Sequence, residues 1–159
     1  MKKLMALLMG VVCAFSLTAC GETAVEEPQE KVFSTSDIQA IVDVGAFSEE
    51  LEELDADTAF MLYQLADYGL LREDLTEAAV IRSAGATCEE GAVLVFTDAA
   101  RADIAAEALG DYLENQIETN VDYRPNEIPK LEGAVLKVRE NTVLMTVAND
   151  AAAVRSVYE

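Results

Sequence analysis

The chain has 159 residues and a formal net charge of −19, from 30 acidic against 11 basic residues, with no histidine. Such a balance leaves no clustered Lys and Arg to displace phosphate counterions, so nucleic acid is excluded as a partner. The missing histidine removes Ser-His-Asp and Cys-His nucleophile activation and every His-containing zinc site.

The first segment is the most specific. Lys2 and Lys3 precede Leu4 to Leu17 (LMALLMGVVCAFSL), which is uncharged and mostly apolar. At about 1.5 Å per residue, this run is too short to cross a hydrocarbon core of roughly 30 Å. Positive charge, a short apolar run and a small-residue end describe an export signal. Its close, Leu17-Thr18-Ala19-Cys20, resembles the lipobox of bacterial lipoproteins. That resemblance implies removal of Met1 to Ala19 and attachment of a diacylglyceryl group to the sulfur of Cys20, which becomes the first residue. The alternative is an ordinary secretory signal cut near Ala19, with Cys20 an incidental thiol. Two acyl chains make a stable anchor where one is marginal, so the expected location is the extracytoplasmic face of the cell membrane.

The signal takes two basic residues with it and no acidic one, leaving nine against thirty. The acid content keeps such a domain soluble and repels anionic headgroups. Attraction of cationic partners is the functional alternative. Cys13 leaves with the signal and Cys20 is lipidated, so Cys88 has no partner for an intramolecular disulfide. Glu89 and Glu90 beside it are expected to raise its thiol pKa and keep it quiet.

Residues 20–32, the lipidated cysteine and an acidic stretch with Pro28, read as a linker to one domain spanning 33–159. Ser34 to Asp37 offers helix N-caps before Ile38, Ile41 and Val42, with Gly45 as a stop. Phe47 and Leu51 pack in the following turn, and Glu49 to Glu53 is an acidic run. Asp57 is expected to cap a second helix, carrying Phe60, Met61, Leu62 and Leu65 and fading before Gly69.

Ala79 to Ile81 and Ala92 to Phe96 read as strands, joined by a hairpin loop containing Gly85, Cys88, Glu89, Glu90 and Gly91. Asp98 caps the longest helix, to about Asn120, whose stripe is Ala102, Ala105, Leu109, Leu113 and Ile117. Gly110 weakens it by roughly 1 kcal/mol relative to Ala. Tyr123 to Lys130 is a loop punctuated by Pro125 and Pro129. Ala134 to Val138 and Thr142 to Ala148 form a second hairpin across Arg139, Glu140 and Asn141. Asn149 or Asp150 caps a final helix with Val154 and Val157.

The fold class is therefore α+β: a four-stranded antiparallel sheet of two hairpins, with helices on one face, in the order β-β-α-β-β-α after an N-terminal helix pair. The strand-to-helix junctions at Asp98 and Asp150 echo one another, as a duplicated unit or as two ordinary capped junctions.

Several pieces resemble one family. They are the lipobox, Leu51-Glu52-Glu53-Leu54-Asp55 leading to Leu62-Tyr63, and Glu77-Ala78-Ala79-Val80. The Tyr123, Pro125 and Glu127 loop and the hairpin from Val135 to Val147 with Asn149-Asp150 complete the set. Together they are similar to the bacterial lipoprotein family called DUF4358, a domain of unknown function. The resemblance implies a surface lipoprotein of Gram-positive-type bacteria with no assigned activity, and no functional residues are carried over. That family places glycine in the last hairpin turn, where this chain has Arg139-Glu140-Asn141.

Site chemistry is sparse. Asp55-Ala56-Asp57 begins like a calcium loop, but Ala59, Phe60 and Ala66 break the pattern. The acids from Glu49 to Asp57 leave a weak divalent-cation module as one alternative, and a carboxylate-based hydrolase as another. Tyr123, Arg124, Pro125 and Asn126 form a candidate binding loop, because loops often carry function. No cofactor, metal site or catalytic residue is expected. The reading is a non-enzymatic binding module for an envelope protein, a peptide or a small solute, tethered to membrane lipid.

Overall fold

The structure is a computed structural model that describes residues 31–158. Leu17, Thr18, Ala19 and Cys20, with the rest of the expected signal and the linker as far as Glu30, lie outside the described residues.

Five strands and five α-helices follow in the order α1 (Ser36–Asp43), β1 (Glu52–Leu54), α2 (Ala56–Leu62), β2 (Leu75–Arg82), β3 (Glu90–Phe96), α3 (Ala99–Asn120), α4 (Ile128–Glu132), β4 (Val135–Arg139), β5 (Thr142–Val147) and α5 (Ala151–Tyr158). The strands form one antiparallel sheet in the order β1-β2-β3-β5-β4. The class is α+β as expected, but the sheet has five strands instead of four. The added strand is β1, where Glu53 pairs with Ile81 at the sheet edge. Two exposed glutamates in three residues are poor strand formers. They suit an edge, where charge discourages further pairing.

The helices cover both faces, which corrects the expected single layer. Ile38 and Ile41 of α1 and Val154 of α5 pack with Ile81, Val93, Val135 and Leu144. Ala59, Tyr63, Ala102, Ala105 and Leu109, from α2 and α3 and the turn between α2 and β2, pack with Val80, Leu94, Phe96, Val143 and Met145 on the other face. Alternate residues of each central strand thus enter different cores. The six residues of β5 are all buried, and six of the seven in β3. The physical signal was the unbroken apolar run: a strand with one wet face alternates, whereas one covered on both sides does not. The helices α3 and α5, whose caps echo one another, lie on opposite faces of the sheet.

Local chemistry sets the element ends. The Asp98 carboxylate accepts from the Arg101 N–H at 3.1 Å to start α3. The Asp150 carboxylate accepts from the N–H groups of Ala152 and Ala153 at 3.0 Å. In α2 the cap is Asp55, which accepts from the Thr58 N–H at 2.8 Å, and not Asp57. That helix ends at Leu62 because Gln64 takes a left-handed backbone at φ 52°. Pro129 falls in the first turn of α4, where a missing N–H costs nothing. The β4–β5 turn places Glu140 at φ 50° without a glycine, and the Asn141 amide donates to the Phe96 carbonyl at 2.7 Å, clamping the turn to β3.

The chain enters at the end of the sheet that carries this turn. The Phe33 N–H donates to Thr142 Oγ1 at 3.0 Å. The Phe33 ring meets Tyr158 edge-on at 6.0 Å, and the Arg139 guanidinium lies 4.6 Å from its centre. The opposite end, where Glu90 pairs with Val147, carries the β2–β3 hairpin and the loop after α3.

Candidate functional site

A cavity of about 240 Å³ opens at that opposite end. Its wall comes from β2 and the hairpin (Arg82, Cys88), from α3 (Tyr112, Gln116, Asn120) and from the following loop (Arg124).

Two consecutive buried carboxylates, Glu89 and Glu90, line its floor. Glu90 shares its strand face with Ala92 and Leu94, so its side chain enters the core side of the sheet. There it accepts from Tyr63 Oη at 2.6 Å and from Tyr112 Oη at 2.8 Å. The two rings meet edge-on at 5.2 Å, and Arg82 Nε stands 3.8 Å from Glu90 Oε2. Burial pushes the Glu90 carboxyl above its usual range, opposed by the two phenols and by Arg82. Burial, followed by the Glu90 charge, pushes both phenols up, so they remain donors.

Glu89 is engaged elsewhere. It accepts from the Ser48 N–H at 2.7 Å, from Ser48 Oγ at 2.5 Å and from Lys130 Nζ at 2.7 Å. Lys130 also lies 3.2 Å from Glu127. Burial would weaken the Lys130 charge, but the hydrogen bonds to Glu89 and Glu127 outweigh it and hold the ammonium charged. Glu127 in turn accepts from the Cys88 N–H at 2.9 Å. The hairpin is thereby fastened to α4 and to the segment before β1.

Sequence reasoning missed Glu89 and Glu90, which read as hairpin loop. The available signal was spacing, since Glu90 is two residues before Ala92 and four before Leu94 on a strand with no other charge. The candidate loop is divided. Arg124 reaches the cavity and donates to the Thr87 carbonyl at 3.1 Å. Tyr123 is 86% exposed, and Pro125 and Asn126 are exposed beside it. Cys88 is half-buried; burial raises its thiol pKa, with Arg124 opposing, and the acid that adds to the rise is Glu127. The expectation of a raised thiol holds, with a different cause. A raised thiol withholds the thiolate that nucleophilic chemistry requires.

The acids from Glu49 to Asp57 are dispersed. Glu49 accepts from Thr87 Oγ1 at 2.6 Å, Asp55 caps α2, and Asp57 pairs with Arg72 at 2.5 Å. Glu52 and Glu53 lie exposed on the edge strand. Among the described residues, no group of three or more potential ligands converges on a metal position. Glu89 and Glu90 are adjacent and both line the cavity, but they hold separate partners.

No curated protein and no solved structure matches the chain. A family model described as a domain of unknown function, DUF4358, matches residues 48–148. That span runs from the Ser48 contact with Glu89 to the end of β5, and it contains every residue lining the cavity. The chain belongs to the DUF4358 family.

Proposed function

We propose that this protein is a membrane-anchored extracytoplasmic lipoprotein that acts by binding and not by catalysis. Its partner is an envelope protein, a peptide or a small solute. The observation that carries the reading is polarity: the chain enters at one end of the sheet, beside Thr142, and the polar cavity opens at the other, beside Val147. The seven residues of β3 separate these ends by about 20 Å. A linker over residues 20–32 adds at most about 45 Å. A lipid on Cys20 would then hold the entry end near the membrane, with the cavity turned outward. Among the described residues, no helix is long and apolar enough to cross a membrane, so attachment in this reading rests on the lipid.

The test is photo-crosslinking in the native cell from a probe at Thr119, on the cavity rim, against one at Asp43, at the end of α1. An equally lipidated protein with an unrelated domain is the control. The reading expects an adduct from Thr119 that is absent from Asp43 and from the control. The same adducts from both positions would contradict it.

A further inference from the structure

Resting on that reading, we propose that the cavity takes the carboxylate of a small solute between Arg82 and Arg124, with Gln116 and Asn120 ordering the rest of the molecule.

The inference comes from which polar groups are already engaged. The acids beneath the cavity have partners: Glu90 holds two phenols, and Glu89 holds Ser48 and Lys130. Neither is left seeking a cation. The donors on the wall are in the opposite condition. The Arg82 guanidinium makes no hydrogen bond among the described residues, and its Nε forms a long ion pair with Glu90 Oε2 at 3.8 Å. The Arg124 guanidinium donates to the Thr87 carbonyl and lies beside the Cys88 thiol. A guanidinium carries several N–H groups in a rigid fork that matches a carboxylate in two parallel bonds. Among the other basic residues, Arg72, Arg101 and Lys130 are paired with acids at short range, and Arg139 and Lys137 stack on aromatic rings. This cavity is where two guanidiniums line one space with hydrogen-bonding capacity left.

The α3 wall adds direction. Asn120 donates through Nδ2 to Gln116, at 2.8 Å to its carbonyl and 3.3 Å to Oε1. That geometry leaves Gln116 Nε2 as a donor and Asn120 Oδ1 as an acceptor. An acceptor beside a carboxylate site suits a solute bearing an amine or hydroxyl near its acid group. Charge favours a zwitterion over a polyanion: Lys130 is shared by Glu89 and Glu127, so Arg82, Arg124 and Lys130 face three carboxylates, Glu89, Glu90 and Glu127. Phosphate would add up to two negative charges to that balance. A zwitterion also escapes repulsion by the acidic molecule. At about 240 Å³ the space suits a small solute and not a folded partner.

The test titrates the full chain in detergent micelles with acetate, glycine, methylammonium and inorganic phosphate. The readout is the side-chain Nε–H NMR signals of Arg82 and Arg124. Saturable shifts of both signals with acetate and glycine are expected, with glycine the tighter. Arg124→Gln should weaken binding by about tenfold, and Arg124→Lys should restore part of it. An unchanged melting temperature shows that either variant still folds. Tighter binding of methylammonium or phosphate would overturn the ligand class while leaving the cavity a binding site. Silence of both arginines toward all four probes would overturn the proposal. The crosslinking adduct from Thr119 tests the broader binding reading independently.

Discussion

Glu90 connects burial, hydrogen bonding and pH in one side chain. Its folded carboxyl lies above the ordinary value of 4.5, chiefly through burial. The folded chain therefore holds that proton more tightly than the unfolded one. The resulting contribution to stability is fully present below the unfolded value and is lost as pH rises through the folded one. Asp74 runs the other way. The Leu71 N–H and Arg101 hold its carboxyl below 3.8, so its contribution is present above that value and is lost as pH falls. Urea midpoints from about pH 4 to 8 should show the Glu90 loss in the native chain and its disappearance in Glu90→Gln. Glu90→Ala should cost about 2–4 kcal/mol more than Glu90→Gln, because it strips the acceptor from two phenols, one of them fully buried. Lys130→Met should cost about 3 kcal/mol by the same measurement, because the Glu89 side chain is 0% exposed and loses its counter-charge. None of these pairings was legible beforehand. Tyr63 and Tyr112 lie 27 and 22 residues from Glu90, and only the folded sheet brings them together. What could be read was the strand parity that puts Glu90 on a core face, along with Arg124 as part of a loop of interest.

At the scale of elements, strong local signals translated directly. The long helix begins after Asp98 and ends at Asn120, and the terminal hairpin occurs between Val135 and Val147. Elements that depend on neighbours did not. β1 exists because β2 offers an edge, and α4 exists because Pro129 starts a turn that Leu131 anchors in the interior. Gly91 is another such case. A Cβ there would meet Phe47 Cζ at 3.2 Å, Ile81 Cγ1 at 3.3 Å and Ile38 Cδ1 at 3.4 Å. The glycine lets α1 and the segment after it approach the central strand closely. Gly91→Ala should therefore destabilise the protein by about 1–2 kcal/mol, seen as a lower urea midpoint with an unchanged slope. An unchanged midpoint would show that the three side chains give way freely.

The whole molecule is a sheet with two cores, and the second core depends on helices at the two ends of the domain. Ile38 and Ile41 of α1 and Val154 of α5 are buried on that face, and the Tyr158 carbonyl accepts from Arg139 at 2.9 Å. Removing the residues from 149 onward should uncover Val93 and Leu144. Loss of a cooperative melt and binding of a hydrophobic dye would report it. The α+β class was legible because hairpin lengths and caps are local. The second helical layer was read as absent because each helix alone shows only an apolar stripe, without saying which side of the sheet receives it. The proposed address rests on Leu17 to Cys20, and the proposed outward-facing cavity depends on it. The most direct test is the mass of the N-terminal peptide recovered from native membranes. The account predicts a peptide beginning at Cys20, with a diacylglyceryl thioether on its sulfur. An unmodified Cys20, or a chain recovered from the membrane still carrying Met1 to Ala19, would contradict it.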